Sequence, residues 1–352
     1  MKRLAFLAAL AMTAAAPAAD PLVIAHRGAS GALPEHTLEA YALAIEQGAD
    51  YVELDLVATK DGHLVARHEP NLATTTDVKD RPEFAGRKRR AVIDGVEEEG
   101  WFACDFTLEE LKRLRAVQAF PDRPREHDGR YAVPTLEEVI ALVKRRGTET
   151  GRTVGIYPET KHPTWHRRLG LALEPRLAKA LELAGWSRRD APVFVQSFEP
   201  SSLRAMAELS PVRRVQLVGA EGFRPDGSPD FGQPWDWSVS LDPRLRWRGY
   251  GDLLTDTGLR EVRTWADAIG PWKRLIVNEA GAARGHDLIR RAHRAGLEVH
   301  TWTFRSEPRW LAPAYGGDPK LEYLQFYLLG VDGVFSDFPD TAIASGADFR
   351  RQ

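Results

Sequence analysis

Short apolar runs alternate with amphipathic stretches along most of this chain, and the alternation limits the folds open to it. The runs at 51–57, 154–158 and 193–197 predict strands, whereas 136–144 and 201–209 carry apolar residues at the spacing of one helix face. Alternating strands and helices favour a parallel sheet. About eight strand–helix units over this length favour a closed, TIM-type (β/α)8 barrel of the α/β class.

The remaining elements are predicted from the same patterns. Further strands are predicted at 22–25, 63–67, 214–218, 275–277, 299–304 and 333–336, and further helices at 37–47, 108–117, 168–184, 259–269, 287–295 and 341–345. The stretch at about 69–130 is polar and charged, and its single predicted helix begins with a capping box formed by Thr107 and Glu110. We interpret 69–130 as an insertion after the second strand.

The first residues have the pattern of a secretory signal peptide, predicted over 1–18. Basic residues at 2–3 precede an apolar run at 4–16, which ends in a small-residue cleavage pattern at 16–18. The run is too short to span a bilayer, and no cysteine follows it to carry a lipid anchor. We therefore expect a barrel domain at 19–352, exported to the periplasm or beyond, with no stable membrane anchor.

The composition argues against some partners and cross-links. Lys and Arg number 48 and Asp and Glu number 50, for a formal net charge of −2, so a nucleic acid or anionic membrane is not an expected partner. Cys104 is the single cysteine, which excludes an intramolecular disulfide. Its large apolar neighbours predict a small buried side chain.

Three acidic residues at predicted strand ends indicate a cation site. Glu53 and Asp55 lie two apart, so both face one side of their strand. In an open antiparallel sheet that side would simply face water, but in a barrel it faces the interior, where unpaired carboxylates are costly. Glu159 ends the next core strand. A hard divalent cation would neutralise such a group with oxygen ligands, and the lack of Cys ligands disfavours zinc.

Two histidines and two basic residues also lie at the ends of predicted strands, as these acids do. His26 and Arg27 end the first predicted strand, and His68 closes the hairpin after the second. Two histidines near one metal can divide acid and base roles, and an Arg fork suits phosphate oxygens. Lys161 adds a charge for a developing anionic transition state.

The order and spacing of these segments resemble the glycerophosphodiester phosphodiesterase family. The matching segments are His26-Arg27-Gly28, Pro34-Glu35-His36-Thr37, 48–55, Lys60-Asp61-Gly62, His68-Glu69-Pro70, 157–161, 196–199, 265–271 and 335–340. The later segments and the long insertion resemble most the periplasmic branch of the family. The likeness covers most of the chain beyond the predicted signal peptide.

The resemblance implies metal-dependent hydrolysis of glycerophosphodiesters to sn-glycerol 3-phosphate and an alcohol. It implies His26 and His68 as the general acid/base pair, Arg27 on the phosphate and Lys161 close to it. In this family the glycerol hydroxyl beside the ester is thought to attack phosphorus, and water then opens the cyclic phosphate. The alcohol that leaves can therefore vary.

The resemblance also implies a divalent cation, Ca²⁺ ahead of Mg²⁺, held by Glu53, Asp55 and Glu159. It sometimes adds Glu35 to the metal site. Because Glu35 comes just before a predicted helix, an interaction with the helix dipole is the other interpretation.

Several neighbouring residues have more than one interpretation. Phe198 and Trp302 line the glycerol pocket or pack in the core. We interpret His36 as a neighbour of the site, and we expect spacer or solvent-facing positions for His162 and His300.

Two other functions remain open from the sequence. A phospholipase D-like or sphingomyelinase-type enzyme on the same barrel would share the His, Glu and Asp arrangement. A non-catalytic binding protein is the other, although the complete set of His26, His68, Glu53, Asp55 and Glu159 argues against it.

Overall fold

Eight parallel strands close into a barrel in the computed structural model, which describes residues 20–351. The strands are β1 (Leu22–Ala25), β2 (Tyr51–Ala58), β3 (Gly155–Thr160), β4 (Phe194–Ser197), β5 (Arg213–Val218), β6 (Ala268–Pro271), β7 (Glu298–Phe304) and β8 (Gly333–Ser336). Each strand pairs with the next, and β1 closes the ring by pairing with both β8 and β2. The predicted TIM-type barrel is confirmed. The predicted signal peptide lies outside the described residues.

One helix after each strand covers the outside of the barrel. These helices are α1 (Leu38–Glu46), α2 (Leu136–Thr150), α3 (Leu173–Leu183), α4 (Pro200–Leu209), α5 (Asp256–Val262), α6 (His286–Arg294), α7 (Pro319–Leu329) and α8 (Pro339–Phe349). Shorter helices lie at Pro163–Arg168, Trp235–Ser238 and Tyr250–Leu253, and single 3₁₀ turns at Lys273–Leu275, Pro308–Trp310 and Pro313–Tyr315. No helix within residues 20–351 is long and apolar enough to cross a membrane.

The period of two along β2 decides which side chains reach the barrel interior. Val52, Leu54 and Leu56 are buried in the layer between barrel and helices, whereas Tyr51 belongs to the cluster inside the barrel. Glu53 and Asp55 share the face of Tyr51 because side chains alternate along a strand. The predicted inward direction of both acids is therefore confirmed.

The predicted insertion after the second strand is confirmed and has a core of its own. After the short strand Leu64–Ala66, antiparallel to β2, the chain forms 3₁₀ turns, a two-stranded ribbon and a helical turn. These are Leu72–Thr74, Val78–Asp80, Pro82–Arg87, Arg89–Ile93 paired with Val96–Gly100, Ala103–Asp105 and Leu108–Leu111. Phe84, Trp101, Phe106 and Leu111 form its apolar centre. The sequence did not predict the ribbon, because four of its ten side chains are charged arginine or glutamate exposed on both faces.

Several predicted boundaries were wrong. The helix predicted at 108–117 ends at Leu111, although its capping box by Thr107 and Glu110 is present. The helix predicted at 168–184 begins only at Leu173 and ends at Leu183, and a separate short helix precedes it at Pro163–Arg168. The two helices are separated by Gly170, whose φ of +75° is left-handed and ends a helix.

The region between β5 and β7 was also predicted incorrectly. The helix predicted at 259–269 ends at Val262, and Ala268–Pro271 instead forms β6. The strand predicted at 275–277 is not a strand, since Lys273–Leu275 is a 3₁₀ turn. Ile276 and Val277 are apolar because they are buried under this loop, and a short apolar run does not distinguish these cases. The helix α7 was not predicted.

Candidate active site

The barrel interior is divided into an apolar layer and a polar layer. Ile24, Tyr51, Tyr157, Phe194 and Phe335 fill the lower part with mutual aromatic and aliphatic contacts. The next inward-facing position on each strand is two residues after the one in the apolar layer. It lies at the carboxyl end of the barrel, where active sites of this fold lie. The side chains there are His26, Glu53, Glu159, Gln196 and Asp337.

Glu53, Asp55 and Glu159 bring carboxylate oxygens within 4.8 Å of one another. All three are buried. Adjacent strands β2 and β3 position them, since Asp55 lies opposite Glu159 in the register. Hydrogen bonds fix Glu53 from both sides: the Arg27 N–H donates to Oε2 at 2.7 Å, and Gln196 Nε2 donates to Oε1 at 3.1 Å.

The three carboxylates have an electrostatic conflict that suits a cation. Burial and the neighbouring Asp55 hold the pKa of Glu53 well above its ordinary range. Burial raises the pKa of Glu159 to about 8, with Asp55 adding to the rise and Lys161 opposing it. Like charges this close favour protonation unless a positive charge intervenes. Three buried oxygen donors and this unbalanced charge fit a hard divalent cation.

Arg27 links this group to Glu35. Its backbone is left-handed, with φ of 61°, and its Nη1 donates to Glu35 Oε2 at 3.0 Å while its Nε lies 3.4 Å from Asp55 Oδ2. Burial opposes ionisation of Glu35, but Arg27 together with His36, His68 and Arg67 outweighs burial and lowers the pKa of Glu35 to about 2. Glu35 is thus a buried carboxylate that holds Arg27 and lies outside the Glu53, Asp55 and Glu159 group.

His26 is anchored by a carboxylate on its Nδ1 side. His26 Nδ1 lies 2.6 Å from Asp337 Oδ1, and Asp337 Oδ2 accepts from Arg123 Nη2 at 2.5 Å and Arg305 Nε at 3.0 Å. Burial, and then the nearby Arg27, lower the pKa of His26 to about 4. The imidazole is therefore neutral near pH 7, with Nε2 as the nitrogen left for a reacting group.

His68 has a similar arrangement. His68 Nδ1 lies 2.8 Å from Glu69 Oε1, and its Nε2 lies 3.4 Å from Lys161 Nζ, which is also 3.1 Å from Glu159 Oε1. Burial, followed by Arg27 and Lys161, lowers the pKa of His68. Each of the two imidazoles therefore has a carboxylate behind one nitrogen.

A cavity of about 420 Å³ joins these groups to the surface. The predicted residues that line it are His26, Arg27, Glu53, Asp55, His68, Glu159, Lys161, Phe198 and Trp302. Phe198 and Trp302 meet edge to face with centroids 5.6 Å apart. Trp302 Nε1 donates to the Gly270 carbonyl at 2.7 Å, which fixes its ring at one side of the cavity. The two side chains therefore pack on each other and also line the cavity, and their contact with the glycerol part of a substrate stays a prediction.

The three other histidines that were interpreted from the sequence have structural contacts. His36 is buried between Asp55 Oδ2, 2.9 Å from its Nε2, and the Tyr41 hydroxyl. His300 is buried inside the barrel, with Nδ1 2.7 Å from the Tyr157 hydroxyl, so a solvent-facing position was wrong. His162 lies between Asp94 and Glu69 at 2.6 Å and 3.1 Å, which is also not solvent-facing.

Sequence reasoning gave no role to Asp337, Arg305, Gln196 or Arg123. Asp337 was inferable, since it lies two residues beyond the inward Phe335 on the last strand and so faces the same side. Gln196 follows the same rule beside Phe194. Arg123 belongs to the insertion, and no local pattern predicts that it reaches Asp337, 214 positions away.

Comparison with known proteins gives the family. A model of the glycerophosphoryl diester phosphodiesterase family matches residues 26–341. The chain belongs to this family. Its members hydrolyse glycerophosphodiesters, so the protein is an enzyme of the phosphoric diester hydrolase class. The predicted family membership is thereby confirmed.

Curated relatives align over almost the whole chain. A glycerophosphodiester phosphodiesterase of Arabidopsis thaliana is 34% identical over 336 residues, covering 90% of this chain and 84% of that protein. The enzyme of Haemophilus influenzae is 32% identical over 348 residues, covering 92% and 89%. A phosphodiesterase of Oleispira antarctica, solved with the product sn-glycerol-3-phosphate, has a TM-score of 0.58 at 22% identity, covering 92% and 96%. This last likeness shows the fold.

Proposed function

We propose that this phosphodiesterase uses His26 and His68 as its acid/base pair to release sn-glycerol 3-phosphate and an alcohol. The observation that supports it is their convergence, with three buried carboxylates, on one cavity at the carboxyl end of the barrel. Family membership supports the substrate class. Each imidazole is held on one side by a carboxylate, as proton transfer at the other nitrogen requires.

The first proposed step forms a cyclic phosphate. The glycerol hydroxyl beside the ester attacks phosphorus, and one imidazole, in its neutral form, accepts the proton of that hydroxyl. The bond from phosphorus to the departing alcohol breaks as the other imidazole, which enters the step protonated, donates its proton to the alcohol oxygen. In the second step water opens the ring, with the two imidazoles exchanging roles. The carboxylate behind each imidazole stabilises its protonated form.

Positive side chains hold the phosphate in this proposal. Arg27 is mostly buried and is aligned by Glu35, so its guanidinium is pre-organised to bind phosphate oxygens. Lys161 reaches the same cavity beside His68. Phe198 and Trp302 offer an apolar wall to the glycerol carbons.

Glu53, Asp55 and Glu159 are the proposed ligands of a divalent cation, and we favour Ca²⁺ over Mg²⁺. Their clustered oxygens suit either ion, and Ca²⁺ tolerates the less regular geometry that three carboxylates and substrate oxygens provide. When bound, such a cation supplies positive charge to the phosphate oxygens. Glu35 is not a primary ligand in this proposal because it lies outside the group that Glu53, Asp55 and Glu159 form.

An assay of the purified chain from residue 19 tests the function. It is incubated with glycerophosphocholine and Ca²⁺ or Mg²⁺, with and without a chelator, and glycerol 3-phosphate is measured enzymatically. We expect product with Ca²⁺, and loss of product with chelator that added Ca²⁺ restores. Absence of product with both ions, or rates that the chelator leaves unchanged, contradicts the proposal.

Export to the periplasm is also proposed, as in the branch of the family that the sequence resembles. The basic start, apolar run and small-residue exit of 1–18 support it. N-terminal sequencing of the protein after expression with its own leader in a Gram-negative host tests this. We expect cleavage near residue 18 and recovery from the periplasmic fraction, and an intact N-terminus in the cytosol would refute it.

A further inference from the structure

A second cavity, of about 270 Å³, opens beside the catalytic cavity. The two share Glu159, Lys161 and Phe198 as lining residues, so the second cavity lies directly against the first. We call this second space the headgroup pocket. Its wall also includes Asp94, His162, Glu199, Gln233, Trp235 and Tyr250.

The insertion closes one side of the headgroup pocket. Its ribbon turns at Asp94 and Gly95, whose φ values of 47° and 85° are both left-handed, as a two-residue hairpin turn requires. A side chain at Gly95 would bring its Cβ within 3.0 Å of the Trp235 ring. The turn therefore packs directly on Trp235 and points Asp94 toward the barrel.

Aromatic rings form the opposite side. Phe198 and Tyr250 meet edge to face with centroids 6.1 Å apart, and the Tyr250 hydroxyl donates to the Phe198 carbonyl at 3.4 Å. Trp235 is the third aromatic side chain that lines the headgroup pocket. Aromatic faces in such an arrangement attract cations through their quadrupoles.

Glu199 adds to this space a carboxyl group that has no positive partner among the described residues. Burial, followed by Asp236 and Asp94, raises the pKa of Glu199 to about 8, while hydrogen bonds from Thr164 oppose the rise. Glu199 is buried and has Thr164 as its hydrogen-bond donor. No cationic side chain within residues 20–351 forms an ion pair with it.

The two cations that line the pocket are already paired. His162 has Asp94 and Glu69 on its two nitrogens, and Lys161 lies 3.1 Å from Glu159. Asp94 Oδ1 is nevertheless buried without a hydrogen-bond partner in the described part of the chain. An unpartnered buried oxygen is costly, so a hydrogen-bond donor or a positive charge on a ligand would stabilise it.

We propose that the headgroup pocket binds the alcohol half of the substrate and selects alcohols that carry an ammonium group, as in ethanolamine or choline esters. Asp94 supplies the counter-charge, and Trp235, Tyr250 and Phe198 supply aromatic faces. The inference rests on the proposed function, because it assigns a binding site to the alcohol that leaves when a glycerophosphodiester is hydrolysed. It also gives the insertion a role in substrate choice.

Competition between two substrates tests this inference. The ratio of kcat/KM for glycerophosphocholine to that for glycerophosphoglycerol is measured in the native chain, in Asp94→Asn and in Trp235→Leu. We expect the native chain to favour the choline ester and each substitution to reduce the ratio by about tenfold, the scale of a partly desolvated cation–π or charge contact. The ratio is informative because a general loss of activity through His162 affects both substrates equally.

Asp190→Asn is the matched control. Asp190 is exposed, pairs with Arg188 and precedes β4 at the opposite end of the barrel, so its substitution should leave the ratio unchanged. A native ratio near one, or a ratio that Asp94→Asn and Trp235→Leu do not alter, overturns the headgroup pocket while leaving the proposed function intact. Lack of turnover of both esters by the native chain would instead refute the proposed function.

Discussion

Two imidazoles, each backed by a carboxylate, are the residues on which the proposed chemistry depends. We expect His26→Ala and His68→Ala each to lower kcat by about 10²–10⁴-fold, since each removes one proton-transfer group. Circular dichroism should show a retained fold, because both side chains line the cavity and neither belongs to the apolar clusters. A variant with native kcat would show that its histidine has no acid/base role.

Asp337 is predicted to act through His26. Its charge and hydrogen bond raise the pKa of His26 against the larger lowering by burial and Arg27. Asp337→Asn should therefore lower that pKa further, move the acidic limb of the kcat/KM profile to lower pH, and reduce kcat by about 10- to 100-fold.

The pH profile separates this role from a purely structural one. Asp337 is also paired with Arg123 and Arg305, so its loss can disturb the insertion as well. A fall in kcat with an unmoved acidic limb would contradict the pKa argument. The isosteric change to Asn keeps one acceptor for the arginines and so limits that disturbance.

The sequence predicted most of these residues, and its limits follow from distance along the chain. His26, Glu53 and Glu159 each continue an inward face of period two, so one strand suffices to predict where they point. Arg123 reaches Asp337 from the insertion. Such a contact depends on how the insertion folds, which no periodicity encodes.

At the scale of elements, the turn from β1 into α1 sets the position of His26 and Arg27. Gly28 has φ of +84°, and a Cβ there would lie 2.7 Å from the Ala40 backbone carbon. Gly28→Ala should lower the free energy of unfolding by more than about 1 kcal/mol, through backbone strain and the clash. Thermal denaturation measures the effect.

Gly86→Ala is the matched control for this change. Nothing lies within 4 Å of a Cβ at Gly86, and no left-handed φ is needed there. We expect its melting temperature to match or slightly exceed that of the native chain. Equal losses in both variants would show that glycine-to-alanine changes destabilise this protein without regard to the β1–α1 turn.

Elements with a strong period were predicted well and those with ambiguous composition were not. Strands β2 and β4 alternate or are β-branched and lie close to their predicted bounds. The apolar residues at 268–269 continue the apolar spacing of the preceding helix but form β6, because pairing with β5 and β7 decides the outcome. Tertiary pairing of this kind overrides local propensity.

For the whole molecule, the buried acids predict a pH-dependent stability without metal. The ordinary pKa of Glu159 is 4.5, and burial raises it in the folded state to about 8. Asp55 adds to this rise, whereas Lys161 opposes it. Between these values the folded state binds more protons than the unfolded state. The free energy of unfolding must therefore fall as pH rises toward 8. The pKa of His26 is lowered from 6.5 to about 4. His26 therefore makes the free energy of unfolding increase with pH, but only below pH 6.5.

Chemical denaturation of the metal-free protein between pH 6.5 and 8 checks this. We expect stability to fall across this window, and Glu159→Gln to reduce the slope, whereas Asp190→Asn leaves it unchanged. Saturating Ca²⁺ should flatten the slope too, because it binds the ionised carboxylates of the folded state. Residual slope in Glu159→Gln is expected from Glu199 and His162, whose pKa values are also raised. A native slope of zero would contradict the account.

Two of the contacts between the insertion and the barrel lie at the cavities, through Arg123 behind His26 and through Asp94 at the tip of the ribbon. The insertion thus supplies both an arginine that holds Asp337 behind His26 and one side of the headgroup pocket. Exchanging this segment between relatives would transfer the two properties together. A new substrate preference could then be acquired without rebuilding the barrel, provided that the incoming segment still supplies an arginine for Asp337.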